Sequence, residues 1–482
     1  MNQRARVLAH VHQAMSELPQ TILDLASIFA RNGSELALVG GPVRDAFLNR
    51  PIHDFDFTTS ALPDETIRLL NIWADAVWDI GKKFGTIGAE KNGLKVEVTT
   101  YRSEKYDPTS RKPDVQYGDH LEGDLTRRDF TVNAMAVRLP SLELVDPCGG
   151  LDDLIAGVLR TPSAATQSFS DDPLRIMRAA RFAAQLSFDV TEEVLAAMEA
   201  LADRLKIVSA ERVQAELVRL ITASQPRRGI ELLVYTGVAD IVLPEVAALR
   251  DLVDEHRRHK DVYEHTLTVL DHAIALETGD DGPVPRPDFL LRFAALMHDV
   301  GKPATRKFER NGTVSFHNHD LVGAKLTAKR MKALRFDKQS VKDVSRLVAL
   351  HLRFHGYGEQ AWTDSAVRRY VADAGDLYER LNRLTRADST TQNRRKAQWL
   401  QAAMDDLEQR VKALKEKEKI DAIRPEIDGT EIMDILQLRP GPDVGKARAF
   451  MLSLRIEEGI LGKEEATRRL RQWWSEQGEQ SK

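Results

Sequence analysis

The chain has 482 residues, too many for one hydrophobic core, so several domains are expected. A hydrophobic share of 42% and a charged share of 29% are ordinary for a globular protein, and no apolar run is long enough to span a bilayer. The net charge of -4 argues against a protein that coats nucleic acid through a broad positive field, though it leaves room for a local basic groove; the single cysteine, Cys148, excludes a disulfide framework and a cysteine-based zinc site. Any metal must therefore be held by histidines and carboxylates. The first six residues lack the apolar core of a secretory signal, which points to a cytoplasmic protein with no membrane partner.

Residues 6–30 carry apolar side chains at helical spacing, so a helix precedes the first strand. Leu38-Val39 then runs into Gly40-Gly41-Pro42-Val43-Arg44-Asp45, where a Gly-Gly pair lets backbone N–H groups approach a bulky anion such as phosphate. His53-Asp54-Phe55-Asp56-Phe57 alternates, so in an extended strand Asp54 and Asp56 leave one face and the two phenylalanines the other. Paired acids beside a turn able to hold a triphosphate suit divalent-metal-assisted phosphoryl or nucleotidyl transfer. An isolated Asp-x-Asp is more often two solvated aspartates on an edge strand; the Gly-Gly-x-x-Arg-Asp lead-in reverses that balance. Together the two segments resemble the head-domain signature of the class II CCA-adding tRNA nucleotidyltransferases and the related bacterial poly(A) polymerases. The resemblance implies that Asp54 and Asp56 hold a catalytic Mg²⁺ while Gly40, Gly41 and Arg44 steady the phosphates.

Residues 64–74 read as a helix, and Gly81-Lys82-Lys83-Phe84-Gly85-Thr86 leads into a hairpin with Asn92-Gly93 at its tip. The returning strand, 94–99, puts Glu97 on its polar face, where it joins Asp54 and Asp56 if the strands are neighbours; a solvent-facing Glu97 is an equal alternative. Residues 102–123 are polar, contain Pro108, Pro113 and Gly118, and show little periodicity, so a long functional or mobile loop is expected. In the resembling family a flexible loop here helps the site accept the last nucleotide, and its length favours completion of CCA. Arg127-Arg128-Asp129-Phe130-Thr131-Val132-Asn133 looks like the family's second motif. The arginines suit forked binding of phosphate oxygens, and Asp129 and Asn133 suit a ribose hydroxyl; standing alone, such a triplet is more often a surface salt-bridge cluster. A Pro/Gly turn at 145–151 closes the head.

Asp172-Pro173 reads as a helix start, with Asp172 as N-cap and Pro173 at the first helical position. Arg175, Arg178 and Arg181 recur every third residue and form a basic stripe. The family reads the incoming base here, and Asp172 and Arg175 match its template pair. A carboxylate accepts from the exocyclic amine of cytosine or adenine, whereas uracil presents a carbonyl to it. Residues 209–217 are also family-like, and equally a Ser-capped amphipathic helix; 191–244 reads as helix throughout.

Farther on, His265, the run His298-Asp299-Val300-Gly301-Lys302, His319, His351 and Asp388 resemble an HD-type phosphohydrolase domain. The implied ligand set is His265, His298, Asp299 and Asp388 around Mn, Ni, Fe or Mg, with His319 and His351 available for a second ion or a phosphate. A degenerate fold that only packs is the alternative. Residues 394–419 read as a solvated helix. Gly441-Pro442-Asp443-Val444-Gly445-Lys446 sits in a small tail and resembles turns that seat RNA phosphates; ordinary interhelical turn chemistry fits as well.

The expectation is an α+β fold: a nucleotidyltransferase head with a mixed sheet (1–157), an all-α neck with base recognition (158–250), an α-helical HD domain (251–400) and a helical tail (401–482). The expected activity is template-independent addition of CCA to the tRNA 3′ end from CTP and ATP, with a second hydrolytic site. The rivals are a poly(A) polymerase, and an HD phosphohydrolase with an RNA-binding head. Nothing in the sequence signals an oligomeric state.

Overall fold

The computed structural model describes residues 9, 13–52, 55–105, 114–118, 120–250, 252, 262–310, 314–354, 357, 362–390, 394–418 and 424–480. They fall into two compact units, Met1–Ala247 and Ala248–Lys482.

The first unit is built on β1 (Leu36–Val39), β2 (Phe55–Thr59), β3 (Ala76–Trp78), β4 (Thr86–Lys91), β5 (Leu94–Thr100), a hairpin of β6 (Arg102–Lys105) and β7 (Asp114–Tyr117), β8 (Ala136–Leu139) and β9 (Glu143–Val145). Seven of these form one sheet in the order β3-β4-β5-β2-β1-β8-β9. Only β2 and β5 pair in parallel, so the sheet is mixed as expected. β1 is buried at all four positions, as an apolar strand inside a sheet must be. β2 alternates: Phe55 and Phe57 go inside and Asp56 is exposed. β5 does the same, burying Val96 and Val98 and exposing Glu97. The helices Gln20–Arg31 and Pro63–Trp73 pack together, and Trp73 Nε1 donates to the Thr21 carbonyl at 2.8 Å.

Residues 102–123 are not a loop throughout, since β6 and β7 pair from Arg102 with Tyr117 to Lys105 with Asp114, and residues 106–113 lie outside the described region. The hairpin is a separate two-stranded ladder. Its first leg, Arg102-Ser103-Glu104-Lys105, is wholly polar, so no apolar alternation marks that strand in the sequence.

Beyond the sheet, the helix Leu174–Leu186 is packed on by Ala210–Ile221 and Pro226–Tyr235. The expected start is displaced by one residue: Pro173 takes the N-cap position, and Asp172 Oδ1 accepts from the Leu174 N–H at 3.1 Å. Ser209 stands at the N-cap of Ala210–Ile221, with no side-chain cap bond.

The second unit is helical. Val262–Ala275, Phe289–Met297, Lys338–Leu350 and Tyr378–Asp388 pack on one another, and His319–Ala333 lies against Lys338–Leu350. Asp288 caps Phe289–Met297 through the Leu291 N–H at 2.7 Å. The helix Arg394–Glu418 runs through residue 400 and buries Met404, Leu407 and Val411, so it is solvated on only part of its circumference. Three further helices, Gly429–Leu436, Pro442–Glu458 and Lys463–Gln480, share a core that includes Ile432, Met451 and Leu470.

One close approach sets the geometry of the histidines described below. A Cβ on Gly301 would strike the His319 carbonyl and come within 2.7 Å of the Gly323 N, so only glycine lets the His298–Gly301 turn touch the helix His319–Ala333. Gly301→Ala is expected to destabilise the second unit by about 1–3 kcal/mol, seen as a lower-temperature unfolding transition. Gly279→Ala, which meets nothing within 4 Å, is the control that should leave the transition in place.

Candidate active sites

In the first unit the parallel register sets Asp56 directly beside Glu97, both exposed. They stand in a cleft of about 310 Å³ whose other charged residues are Asp129 and Asp172 with Arg102, Arg127, Arg128, Arg175 and Arg178. His53 and Asp54 lie outside the described residues.

The arginines are fixed from behind by buried acids. Asp124, 1% exposed, accepts from Arg127 Nη2 at 2.6 Å, from Arg128 Nη2 at 3.2 Å and from Thr58 Oγ1 at 3.2 Å. Burial by itself would raise its pKa, but Arg128 and Arg127 outweigh that and hold it below the usual carboxylate range. Asp129 Oδ1 accepts from the Phe130 N–H at 2.8 Å and from Asn133 Nδ2 at 3.1 Å, while Oδ2 meets Arg178 Nη2 at 2.6 Å. Here too burial works upward and is overcome by Arg178 and Arg175. Asn133 Oδ1 accepts from Arg44 Nη1 at 2.7 Å, so the predicted residues Arg44, Asn133, Asp129 and Arg178 form one connected chain. Three guanidinium carbons surround the Phe182 ring, from Arg181 at 3.9 Å, Arg44 at 5.3 Å and Arg178 at 5.7 Å.

Not every predicted residue reaches the cleft. The Gly40 N–H is taken by the Met135 carbonyl at 3.2 Å. What Gly40 supplies is room: at φ +76° it keeps its place free of a Cβ that would stand 3.2 Å from Arg128 Nη1. Gly41 opens the short helix Gly41–Phe47, and Arg44 faces Asp45 at 2.9 Å. The stripe at 175, 178 and 181 divides. Arg175 donates to Ser168 Oγ at 2.7 Å and to the Arg127 carbonyl at 2.6 Å, Arg178 faces Asp129, and Arg181 turns to Glu216 at 2.5 Å in a buried pair outside the cleft lining. Burial lowers Arg181 to about 10 despite Glu216.

In the second unit all six predicted residues converge. His265 Nε2 is 3.0 Å from Asp388 Oδ1 and 3.6 Å from Asp299 Oδ2. His298 Nε2 is 3.3 Å from Asp299 Oδ2 and 3.5 Å from Asp388 Oδ1, and His319 Nε2 is 3.4 Å from Asp299 Oδ1. His298–Asp299 with His265, and Asp299 with His319 and His351, are each close enough to hold one ion. The imidazoles are oriented alike: Nδ1 of His298, His319 and His351 faces the carbonyls of Ala295 (2.7 Å), Phe316 (2.8 Å) and Val348 (2.7 Å), and Nδ1 of His265 faces Thr390 Oγ1 at 2.9 Å. A carbonyl only accepts, so it fixes the proton on Nδ1 and leaves Nε2 as a ligand.

The electrostatics ask for a cation. Burial would push His298 down, yet Asp299 and Asp388 raise it to about 10; burial and His298 together push His351 down to about 4. Asp299 and Asp388 are held well below the carboxylate range, against burial, chiefly by His298 and Lys302 for the first and by His265 and His298 for the second. His298 Nε2 and Asp299 Oδ2 are buried 3.3 Å apart, with Lys302 Nζ 2.8 Å from the same oxygen, and imidazole and carboxylate donors converge on them from three helices, so the residues present fit a divalent ion.

Residues 36–160 match the family model of the Poly A polymerase head domain, 187–249 that of the probable RNA and SrmB-binding site of polymerase A, and 262–411 the HD domain. An A-adding tRNA nucleotidyltransferase of Deinococcus radiodurans is 36% identical over 368 residues, covering 74% of this chain and 80% of the relative. The chain belongs to the tRNA nucleotidyltransferase family, in the branch with an HD domain. A CCA-adding enzyme of Streptococcus mutans is 30% identical over 89% of the chain and 91% of the relative. The fold matches that of the Bacillus stearothermophilus CCA-adding enzyme solved with CTP, at 22% identity and a TM-score of 0.66 over 96% of this chain and 98% of that one.

Two supports of this nucleotidyltransferase's cleft were not singled out from sequence. Asp124 carries a local signal, three and four residues before Arg127 and Arg128, the spacing of facing side chains on a helix. Arg212 lies in the family-like segment 209–217, but its pairing with Asp172, Nη2 to Oδ2 at 3.2 Å, spans 40 residues and carries no local signal. A carboxylate whose folded pKa is depressed contributes stability that is complete above its unfolded value and is lost as pH falls through the folded one. Asp124→Asn is therefore expected to lower thermal stability at neutral pH by about 1–3 kcal/mol, and to flatten the acid limb of the stability curve below about pH 4, both measured by unfolding across pH.

Proposed function

We propose that the chain rebuilds the 3′ end of tRNA in the cytoplasm, adding C, C and A from CTP and ATP and releasing pyrophosphate. The observation that carries this reading is the side-by-side placement of Asp56 and Glu97, exposed, in a cleft walled by arginines. Asp54 and Asp56, with Glu97 beside them, offer hard carboxylate oxygens suited to Mg²⁺. When bound, such an ion supplies positive charge to the triphosphate and to the attacking oxygen. In the transfer, the tRNA 3′-oxygen bonds to the α-phosphorus, the bond to pyrophosphate breaks, and the hydroxyl proton leaves to solvent. Arg127, Arg128 and Arg178 hold the nucleotide's phosphates and sugar, and Asp129 and Asn133 hold Arg178 and Arg44 in place behind them. Asp172 and Arg175 read the base edge, Arg175 through the donors that Ser168 and Arg127 leave over.

Addition of the terminal A alone has one specific support, the name of the Deinococcus radiodurans relative. Poly(A) synthesis is not favoured, since the relatives above are named for tRNA or CCA addition. Transcripts lacking CCA and transcripts ending in CC, offered labelled CTP or ATP separately, decide the matter. Labelled C on the first transcript is expected; label only from ATP on the second would leave the A-adding reading.

In the second unit we propose hydrolysis of a phosphate ester or cyclic phosphate, with Mn, Ni, Fe or Mg held by His265, His298, Asp299 and Asp388 and a second position offered by His319 and His351. Segments 1–157, 158–250, 251–400 and 401–482 are then head, neck, HD domain and tail. The two activities should separate. Asp56→Asn is expected to cut nucleotide addition by at least about a hundredfold and to leave phosphate release intact. His298→Ala should abolish phosphate release and lower the bound metal found by elemental analysis, with nucleotide addition unchanged.

A further inference from the structure

Exposed aromatic rings stand beside the acid pair of the head. Side chains alternate along β5, so Thr99 leaves the strand on the same face as Glu97, about 7 Å farther along at about 3.3 Å per residue. Both line the cleft. Thr99 Oγ1 lies 2.9 Å from Thr86 Oγ1, and the Gly85 carbonyl accepts from the Thr100 N–H at 2.9 Å. Phe84-Gly85 is thereby moored to the end of β5, about 10 Å from Glu97 by the same rise.

Tyr117 reaches the same place from the β6–β7 hairpin. It pairs with Arg102, a residue of the cleft lining whose guanidinium donates to the Phe84 carbonyl. Its ring lies against Gly85, where a Cβ would stand 3.3 Å from Tyr117 Cε1. Phe84 and Tyr117 are 50% and 45% exposed, and Lys83 beside them is exposed too. Aromatic faces with a cation alongside match the chemistry that holds a single strand, since rings stack on a base of any kind and positive charge meets the phosphates.

Two reactants share the cleft. Asp172 and Arg175, assigned above to the base edge of the incoming nucleotide, come from the helical segment after the sheet, which leaves the rings on the sheet side for the other reactant. The acceptor strand must bring its 3′-oxygen to Asp56 and Glu97, and its last base changes with each addition. A support indifferent to base identity is what such an end needs.

We infer that Phe84 and Tyr117 form a stacking platform for the 3′-terminal base of the tRNA awaiting addition. The platform presupposes the tRNA-repair reading of the cleft. It supports the strand and not the incoming nucleotide.

The test uses the full chain with Mg²⁺, as parent, Phe84→Ala, Tyr117→Ala and Tyr117→Phe. Each is given CTP and ATP with transcripts lacking CCA or ending in CC, and with the same transcripts made abasic at the 3′-terminal nucleotide. Either alanine variant is expected to raise KM for the intact transcripts about tenfold, with kcat and the KM for CTP and ATP unchanged. Tyr117→Phe, which keeps the ring, should keep the parent value. The abasic end should cost the parent a similar factor and cost Tyr117→Ala little more, because removing the base and removing the ring lose the same contact. An unchanged transcript KM in both alanine variants, a rise in the KM for CTP or ATP instead, or losses that multiply when Tyr117→Ala meets the abasic end, overturns the platform and leaves nucleotide addition standing. A parent that extends none of the intact transcripts overturns both.

Discussion

Asp124 and Asp129 are carboxylates taken out of water, and each keeps its charge only because guanidinium groups stand against it. The dependence runs both ways. An arginine side chain is long and entropically costly to fix, so a cleft needing several of them in place must anchor each on something rigid. Asp124 sits in the helix Leu121–Thr126 and is held by Thr58 of β2, the strand that carries Asp56. The arginine wall and Asp56 are thereby referred to one strand.

The second unit solves a similar problem with different parts. Its polar atoms are imidazole nitrogens, and they are oriented by main-chain carbonyls three residues back at Ala295, Phe316 and Val348. An i to i−3 bond of this kind is available where a helix ends or begins, and His298 and His351 are C-caps while His319 is the first residue of its helix. Helix termini thus supply both the position and the tautomer of these imidazoles, with no second set of side chains required.

Much of this was legible in the sequence because it is local. Alternation in Phe55-Asp56-Phe57 and Val96-Glu97-Val98 gave the outward direction of both acids, and Asn92-Gly93 gave the turn that returns β5. The pairing of β2 with β5 is not legible in the same way, because strand order across a helix and a hairpin is a tertiary fact. The equal spacing of Arg175, Arg178 and Arg181 misled for a related reason. Three residues is 300° around a helix, so each successive side chain turns 60° away from the last, and by the third it has left the cleft for Glu216. The first leg of the β6–β7 hairpin, Arg102–Lys105, is wholly polar and so gives no strand pattern to read.

The burial of the two acid sets argues for two kinds of metal dependence. Asp56 and Glu97 are exposed and have little but carboxylate oxygen to offer, so an ion there needs the substrate's own phosphates to complete its shell and should exchange with each nucleotide. Asp299 and His298 are nearly inaccessible and are joined by further imidazoles, a donor set that could hold an ion with protein groups alone. Lys302 already stands against Asp299 at 2.8 Å and His265 against Asp388 at 3.0 Å. A cation entering this dry pocket would meet those charges already in place, whereas one between Asp56 and Glu97 would remain open to solvent.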